Sequence, residues 1–143
     1  MVSVLFKKNH PDAKVPFAAY EQPACFDLHS VEDVVLNPGE TKLVDTGLSV
    51  ALPEGYEMQI RPRSGLAAKH GVMVLNSPGT VDADYRGPVK VILHNASSYT
   101  YSINKGDRIA QCAIRPVPKV EWIEVTELPE SARGDKGFGS SGK

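Results

Sequence analysis

Turn-forming residues interrupt this chain so often that no apolar segment runs far. Twelve Gly and 11 Pro are spread over 143 residues, and short apolar clusters lie between them. Clusters rich in Val, Ile and Tyr suit strands, because β-branched and aromatic side chains pack well on a pleated surface. The pattern predicts strands over 2–6, 42–52, 55–60, 72–75, 89–94, 99–103, 109–114 and 120–125. One helix of about two turns is predicted over 64–70 (SGLAAKH), with Gly71 as its C-terminal cap. The expectation is an all-β sandwich or barrel with one short helix.

The length suits a single domain, since domains commonly use about 100–200 residues. No internal repeat and no linker divides it. Residues 1–130 are expected to form one β domain, and 131–143 a mobile tail. That tail holds Gly134, Gly137, Gly139 and Gly142 but one large apolar side chain, Phe138, so it lacks the means to hold itself folded. Lys plus Arg number 16 and Asp plus Glu 17, a net charge of -1. This balance argues against nucleic acid and membrane partners, and any anion site must be local. No apolar run approaches the ~18 residues of a membrane span. The start, MVSVLFKKNH, has neither signal-peptide nor transit-peptide form. A cytoplasmic location is expected, or a nuclear or organellar one if a presequence was removed. Cys25 and Cys112 read as reduced thiols rather than a disulfide framework, and four His without HExxH or His-x-His spacing argue against zinc.

Several polar clusters could carry chemistry. In the tail, GFGSSGK matches the front of a Walker A loop, but the Ser or Thr after the Lys and the following helix are missing. Its glycines still allow backbone N–H groups to converge on an anion, with Arg133, Ser140 and Ser141 as further donors. Phe138 between two glycines could stack on a base; a frayed terminus with an incidental Phe is the other reading. Arg61-Pro62-Arg63-Ser64-Gly65 leads into the helix, as an anion site with Ser64 capping or donating, or as an exposed basic turn. Residues 76–87 (NSPGTVDADYRG) gather Asn76, Asp82, Asp84 and Tyr85 about hairpin-type turns, with Asp82 and Asp84 expected on one strand face. A plain polar hairpin tip is the alternative. Gly106-Asp107 reads as a turn, with Asp107 and Arg108 paired structurally. Asp27, between Phe26 and Leu28, could contact a metal or its water, or cap a turn. Two phosphate-suited clusters, an acidic hairpin, a stackable aromatic and no nucleophile–base pair suggest metal-assisted attack of water on a nucleotide polyphosphate.

In order, the chain carries ACFDL, RPRSGLA, NSPGTVDADYRG, KGDRIAQ and RGDKGFGSSG. This series resembles the five motifs of the trimeric dUTPase family (deoxyuridine 5'-triphosphate nucleotidohydrolases) over 24–142. The resemblance implies a distorted jelly-roll or β-clip subunit with a flexible C-terminal tail, and a homotrimer whose active sites are shared between chains. It also implies Mg²⁺-assisted hydrolysis of dUTP to dUMP and pyrophosphate, with water attacking the α-phosphate. Such an activity keeps uracil out of DNA and supplies dUMP for thymidylate synthesis. By motif, Asp82 would orient the water and contact the 3′-OH, and Tyr85 would pack on the deoxyribose and exclude a 2′-OH. Asn76 and the backbone at Thr80 and Val81 would read the uracil edge, with Lys90 beside them. Arg63, Ser64 and Gly65 would grip phosphates, and Asp27 and Gln111 would act on the metal through water. Arg133, Gly139, Ser140 and Ser141 would close on the γ-phosphate, and Phe138 would lie over the uracil. Asp84, Arg86, Asp107 and Arg108 are read as structural and ion-paired.

Two positions depart from the family pattern. Cys25 stands where a glycine is usual and is strained if that place needs a positive φ. Pro88 replaces an acidic residue, removing one N–H donor at a strand start. The related dCTP deaminases lack the glycine-rich fifth motif that this chain has. A non-catalytic binding module on the same fold is the other rival.

Overall fold

The computed structural model describes residues 1–142; Lys143, the end of the Walker-like match and of the expected tail, lies outside them. In chain order the elements are β1 (Leu5–Lys8), β2 (Phe26–His29), β3 (Val34–Leu36), β4 (Thr41–Ala51), β5 (Tyr56–Arg61), α1 (Ser64–His70), β6 (Val72–Val74), β7 (Gly79–Val81), β8 (Pro88–Asn95), β9 (Tyr101–Ile103) and β10 (Arg108–Pro116). They form two four-stranded sheets, β1-β4-β8-β6 and β2-β10-β5-β7, and a two-stranded ribbon, β3-β9. All pairings are antiparallel. The arrangement is jelly-roll-like, as expected, but its sheets are open rather than closed into a barrel.

Strand β8 shows how the pattern builds the core. Val89, Val91 and Leu93 are buried while Pro88 and Lys90 are exposed, the period-two alternation of a sheet with one covered face. Those three meet Leu28, Ile60 and Cys112 of the second sheet and Leu36 and Ile103 of the ribbon in one continuous core. The register of β4 shifts between Asp45 and Leu48, where Gly47 takes a φ of 71° and the Asp45 carboxylate accepts its N–H at 2.8 Å. A side chain there would also stand 2.9 Å from Ala13 Cβ, so the bulge requires glycine twice over. The helix has the predicted bounds, and Gly71 caps it in the left-handed region.

Three differences from expectation stand out. Strands β2, β3 and β7 were not anticipated; they are three or four residues long, too short for a period to show. The first strand begins at Leu5 instead of residue 2. Residues 120–125 form no strand at all: Val120, Trp122, Ile123 and Val125 are exposed, Trp122 by 93%. Alternation makes a segment able to pair, but pairing needs a neighbouring backbone, and this chain presents none there.

Candidate active site

The acidic 76–87 segment lies around a cavity of about 350 Å³; it is not a paired hairpin as expected, because β7 pairs with β5 and β8 with β4 and β6, in different sheets. Its walls include Asn76, Thr80, Val81, Asp82, Tyr85 and Lys90, with Ile60, Val89 and Ile92 as apolar members. The volume and the mix of apolar walls with a few polar groups suit one small ring and its sugar. Asp82 follows directly on β7, and its carbonyl accepts the Tyr85 N–H at 3.2 Å, closing a turn. Asp84 lies inside that turn, so Asp82 and Asp84 do not share a strand face as expected. Tyr85 Oη donates to the Pro88 carbonyl at 2.9 Å.

A second cavity, of about 550 Å³, is lined by Cys25, Asp27, Arg63, Ser64, Gly65, Arg108 and Gln111, with residues of the 17–24 loop. Strand register assembles it. Asp27, Gln111 and Arg61 stand in one row across β2, β10 and β5, and Arg63 follows two residues after. Gln111 Nε2 donates to the Pro62 carbonyl at 2.9 Å, tying that turn to β10. Asp27 lies between two guanidinium groups, Arg63 Nε at 3.4 Å from one oxygen and Arg108 Nη1 at 3.4 Å from the other. Its side chain is only 15% exposed. Arg63 also donates to the Arg108 carbonyl at 3.3 Å.

Ser64 does not cap the helix. Arg63 is the N-cap residue, in extended conformation, with no side-chain cap bond, so the first-turn N–H groups beside Ser64 and Gly65 keep no side-chain partner. Asp107 is not paired with Arg108: its carboxylate accepts the Asn104 N–H at 2.8 Å, and Arg108 turns to Asp27 instead. Among the described residues Asp84 and Arg86 form no ion pair; Arg86 donates to the Ala83 carbonyl at 2.6 Å. In these turns Asp107 and Arg86 find backbone partners three residues away, an N–H and a carbonyl, in place of an exposed charge partner. Cys25 is not among the residues of positive φ and so carries no backbone strain; its Sγ accepts from Arg61 Nη1 at 3.9 Å. Burial pushes the Cys112 thiol up to about 12, leaving it an inert core group. Behind Asp27, the buried His29 has no partner for Nδ1, and its pKa is lowered, first by burial and then by Lys14.

The tail from Ser131 folds into turns of its own. Ser140 N–H donates to the Gly137 carbonyl and Arg133 Nε to the Lys136 carbonyl, at 3.2 and 2.6 Å. Arg133, Gly139, Ser140 and Ser141 line a third hollow, while Phe138 stands free in solvent. The hairpin cavity, the Asp27 cavity and the tail hollow have no lining residue in common. The expected site residues therefore line three separate hollows, with Phe138 outside all of them.

Open antiparallel sheets bearing one aromatic-edged, acid-bearing cavity and one basic cavity define an all-β protein made for small polar, anionic ligands. The chain belongs to the dUTPase family, whose model matches residues 11–142. It is 56% identical to the deoxyuridine 5'-triphosphate nucleotidohydrolase of a Hydrogenobaculum species, over 99% of both chains. It is 55% identical to that of Nautilia profundicola, over 96% of both. Among solved structures, the dUTPase of staphylococcal bacteriophage 80alpha, a G164S mutant with dUpNHpp, superposes with a TM-score of 0.92 at 30% identity over 99% of both chains. The dUTPase of phage phi11 of S. aureus, a D95N mutant whose structural Mg(II) coordination was described, gives 0.83 at 26% identity, over 90% of this chain and 99% of that one.

Proposed function

We propose that this protein hydrolyses dUTP to dUMP and pyrophosphate in a site assembled from more than one copy of the chain. The observation that carries the reading is the hairpin cavity, where one carboxylate, Asp82, stands among groups able to read a pyrimidine edge and a sugar. Asn76 and the strand backbone at Thr80 and Val81 hydrogen-bond the uracil, and Lys90 stands beside them. Tyr85 packs on the deoxyribose, where a 2′-OH has no room. Asp82 orients the attacking water and accepts its proton. Arg63, Ser64 and Gly65 bind phosphate oxygens through a guanidinium, a hydroxyl and backbone N–H groups.

Among the described residues no cluster of three or more His, Cys, Asp or Glu could cage a metal ion. Asp27 and Gln111 fit Mg²⁺ nonetheless, because that ion keeps its waters and is commonly held by phosphates with one or two carboxylates. It would neutralise phosphate charge, and Asp27 would reach it through water. The body, 1–130, acts as one domain, and the tail segment closes over the γ-phosphate with Arg133, Gly139, Ser140 and Ser141 while Phe138 covers the uracil.

Sharing between copies, as a homotrimer, accounts for cavities with no residue in common and for an arm that leaves Trp122 and Ile123 uncovered by its own subunit. The activity test is pyrophosphate release from dUTP in the presence of Mg²⁺; ammonia release from dCTP, or no turnover, overturns the reading. Sharing is tested by refolding Asp82→Asn chains with chains that lack 133–143. A site then works only with the two parts from different chains, and about a quarter of wild-type sites should return. Mixed trimers that stay inactive refute sharing.

A further inference from the structure

The turn at 84–88 contains a glycine whose requirement is not conformational. Gly87 is absent from the residues with positive φ, so its backbone would accept an L side chain without torsional strain. What forbids one is Tyr85. A Cβ at position 87 would lie 2.6 Å from Tyr85 Cζ and 3.0 Å from Cε2, and would overlap Oη as well. The phenol is folded back over Gly87, and its hydroxyl donates to the Pro88 carbonyl at 2.9 Å.

The two sides of this contact differ in freedom. The backbone at 87 is pinned, because its carbonyl accepts from Ser49 Oγ at 3.0 Å and Pro88 pairs with Ser49 across β4 and β8. Tyr85 is 43% exposed, and its ring is held at the far end by one hydrogen bond. A methyl group at 87 would therefore displace the ring and leave the strand in place. Tyr85 lines the hairpin cavity beside Asp82, so the displacement would move one wall of that cavity.

We propose that Gly87 is the positioning residue that sets sugar selectivity: by lacking a side chain it lets Tyr85 lie flat against the turn, closed on the Pro88 carbonyl, as the wall that excludes a 2′-hydroxyl. The proposal rests on the reading that Tyr85 faces the sugar of the substrate. It predicts a residue whose replacement changes selectivity far more than stability.

The test compares Gly87→Ala, Tyr85→Ala and the double variant. For each, kcat/KM is measured on dUTP and UTP, with thermal melting as the control for folding. Carbon-13 NMR of labelled tyrosine follows the ring directly in wild type and Gly87→Ala, the Tyr85 signal being assigned by its loss in Tyr85→Phe. Gly87→Ala should shift the Tyr85 signal, lower the dUTP-to-UTP ratio about tenfold, and change melting by only a few degrees. In the Tyr85→Ala background the same substitution should leave the ratio alone, because its target is gone. An unmoved Tyr85 signal overturns the positioning role by itself. A moved signal with the ratio intact in Gly87→Ala, but lost in Tyr85→Ala, overturns the link to selectivity while the sugar reading stands. An intact ratio in both variants overturns the sugar reading and the proposal with it. If Gly87→Ala unfolds, the backbone rather than the ring yields, which refutes the proposal; Tyr85→Phe, lacking only the hydroxyl, then reports whether the bond to Pro88 matters for the ratio.

Discussion

The cavity around Asp82 and the cavity around Asp27 are built in different ways. The hairpin cavity draws its polar walls from one stretch, residues 76–90, where a short strand, a turn and the start of β8 follow one another. The Asp27 cavity draws on residues near 25, 63 and 108–111, brought together by the register of β2, β10 and β5, which sets Asp27, Gln111 and Arg61 in one row. The polar walls of the first are continuous in the chain, although β7 is held by β5 and β8 by β4 and β6. The second exists only when three strands are paired correctly, and a slip of one residue would turn Asp27 to the opposite face. On the proposed reading, selectivity would reside in one stretch of chain and charge handling in a cross-strand arrangement, so substitutions in the two should fail differently.

The largest effect should come from the hairpin. Asp82→Asn keeps the shape of the turn but loses the charge that accepts the proton from water. Turnover should fall by at least ~10²-fold with dUTP affinity nearly unchanged; near-normal kcat would remove Asp82 from the chemistry. Deleting 133–143 should cost about 10²-fold in turnover through lost alignment, yet leave melting almost unaltered, since few apolar contacts go with it. A truncated enzyme at full activity would show the tail to be dispensable.

The Asp27 cavity should respond less in turnover and more in its dependence on metal. Asp27→Asn removes the charge between Arg63 and Arg108 and should raise the Mg²⁺ concentration for half-maximal activity by roughly 10-fold or more. Stability should change by less than about 1 kcal/mol, because both guanidinium groups stay partly solvated. An unchanged Mg²⁺ titration would sever this cavity from the metal.

The smallest effect concerns His29 behind it. Burial lowers its folded pKa below the ordinary 6.5, with Lys14, Arg108 and Arg63 adding to the shift and Asp27 opposing it. Below about pH 6.5 the unfolded chain takes a proton that the folded chain refuses, so this group's stability is lost as pH falls toward the folded value. His29→Gln should flatten the slope of denaturation midpoint against pH between 7 and 5. An identical slope would show that other groups govern acid stability.

The same contrast explains what could be read beforehand. Asn76, Asp82 and Tyr85 are legible as one cluster because they are close in the chain, Thr80, Val81 and Lys90 only through the family motif, and all six line one cavity. The partners of Asp27 did not stand out. Arg108 was read as the mate of the adjacent Asp107, the nearest opposite charge in sequence, whereas register delivers it across the sheet. Gly87 ends the NSPGTVDADYRG motif, but what its missing side chain does is not legible there, since that depends on where the Tyr85 ring folds back.

By itself the sequence determined the alternation that makes β8 a half-buried strand, the Gly71 cap that ends the helix, and the turn that carries its acid and its tyrosine. These depend on neighbours a few residues apart, whose geometry is set by backbone sterics and side-chain period. The tertiary structure alone decided that 120–125 stays unpaired, that Asp27 is shared by two arginines, and that three groups of site residues stay apart within one chain. Each of these turns on which distant backbone arrives alongside, and pairing energy is realised only after that arrival.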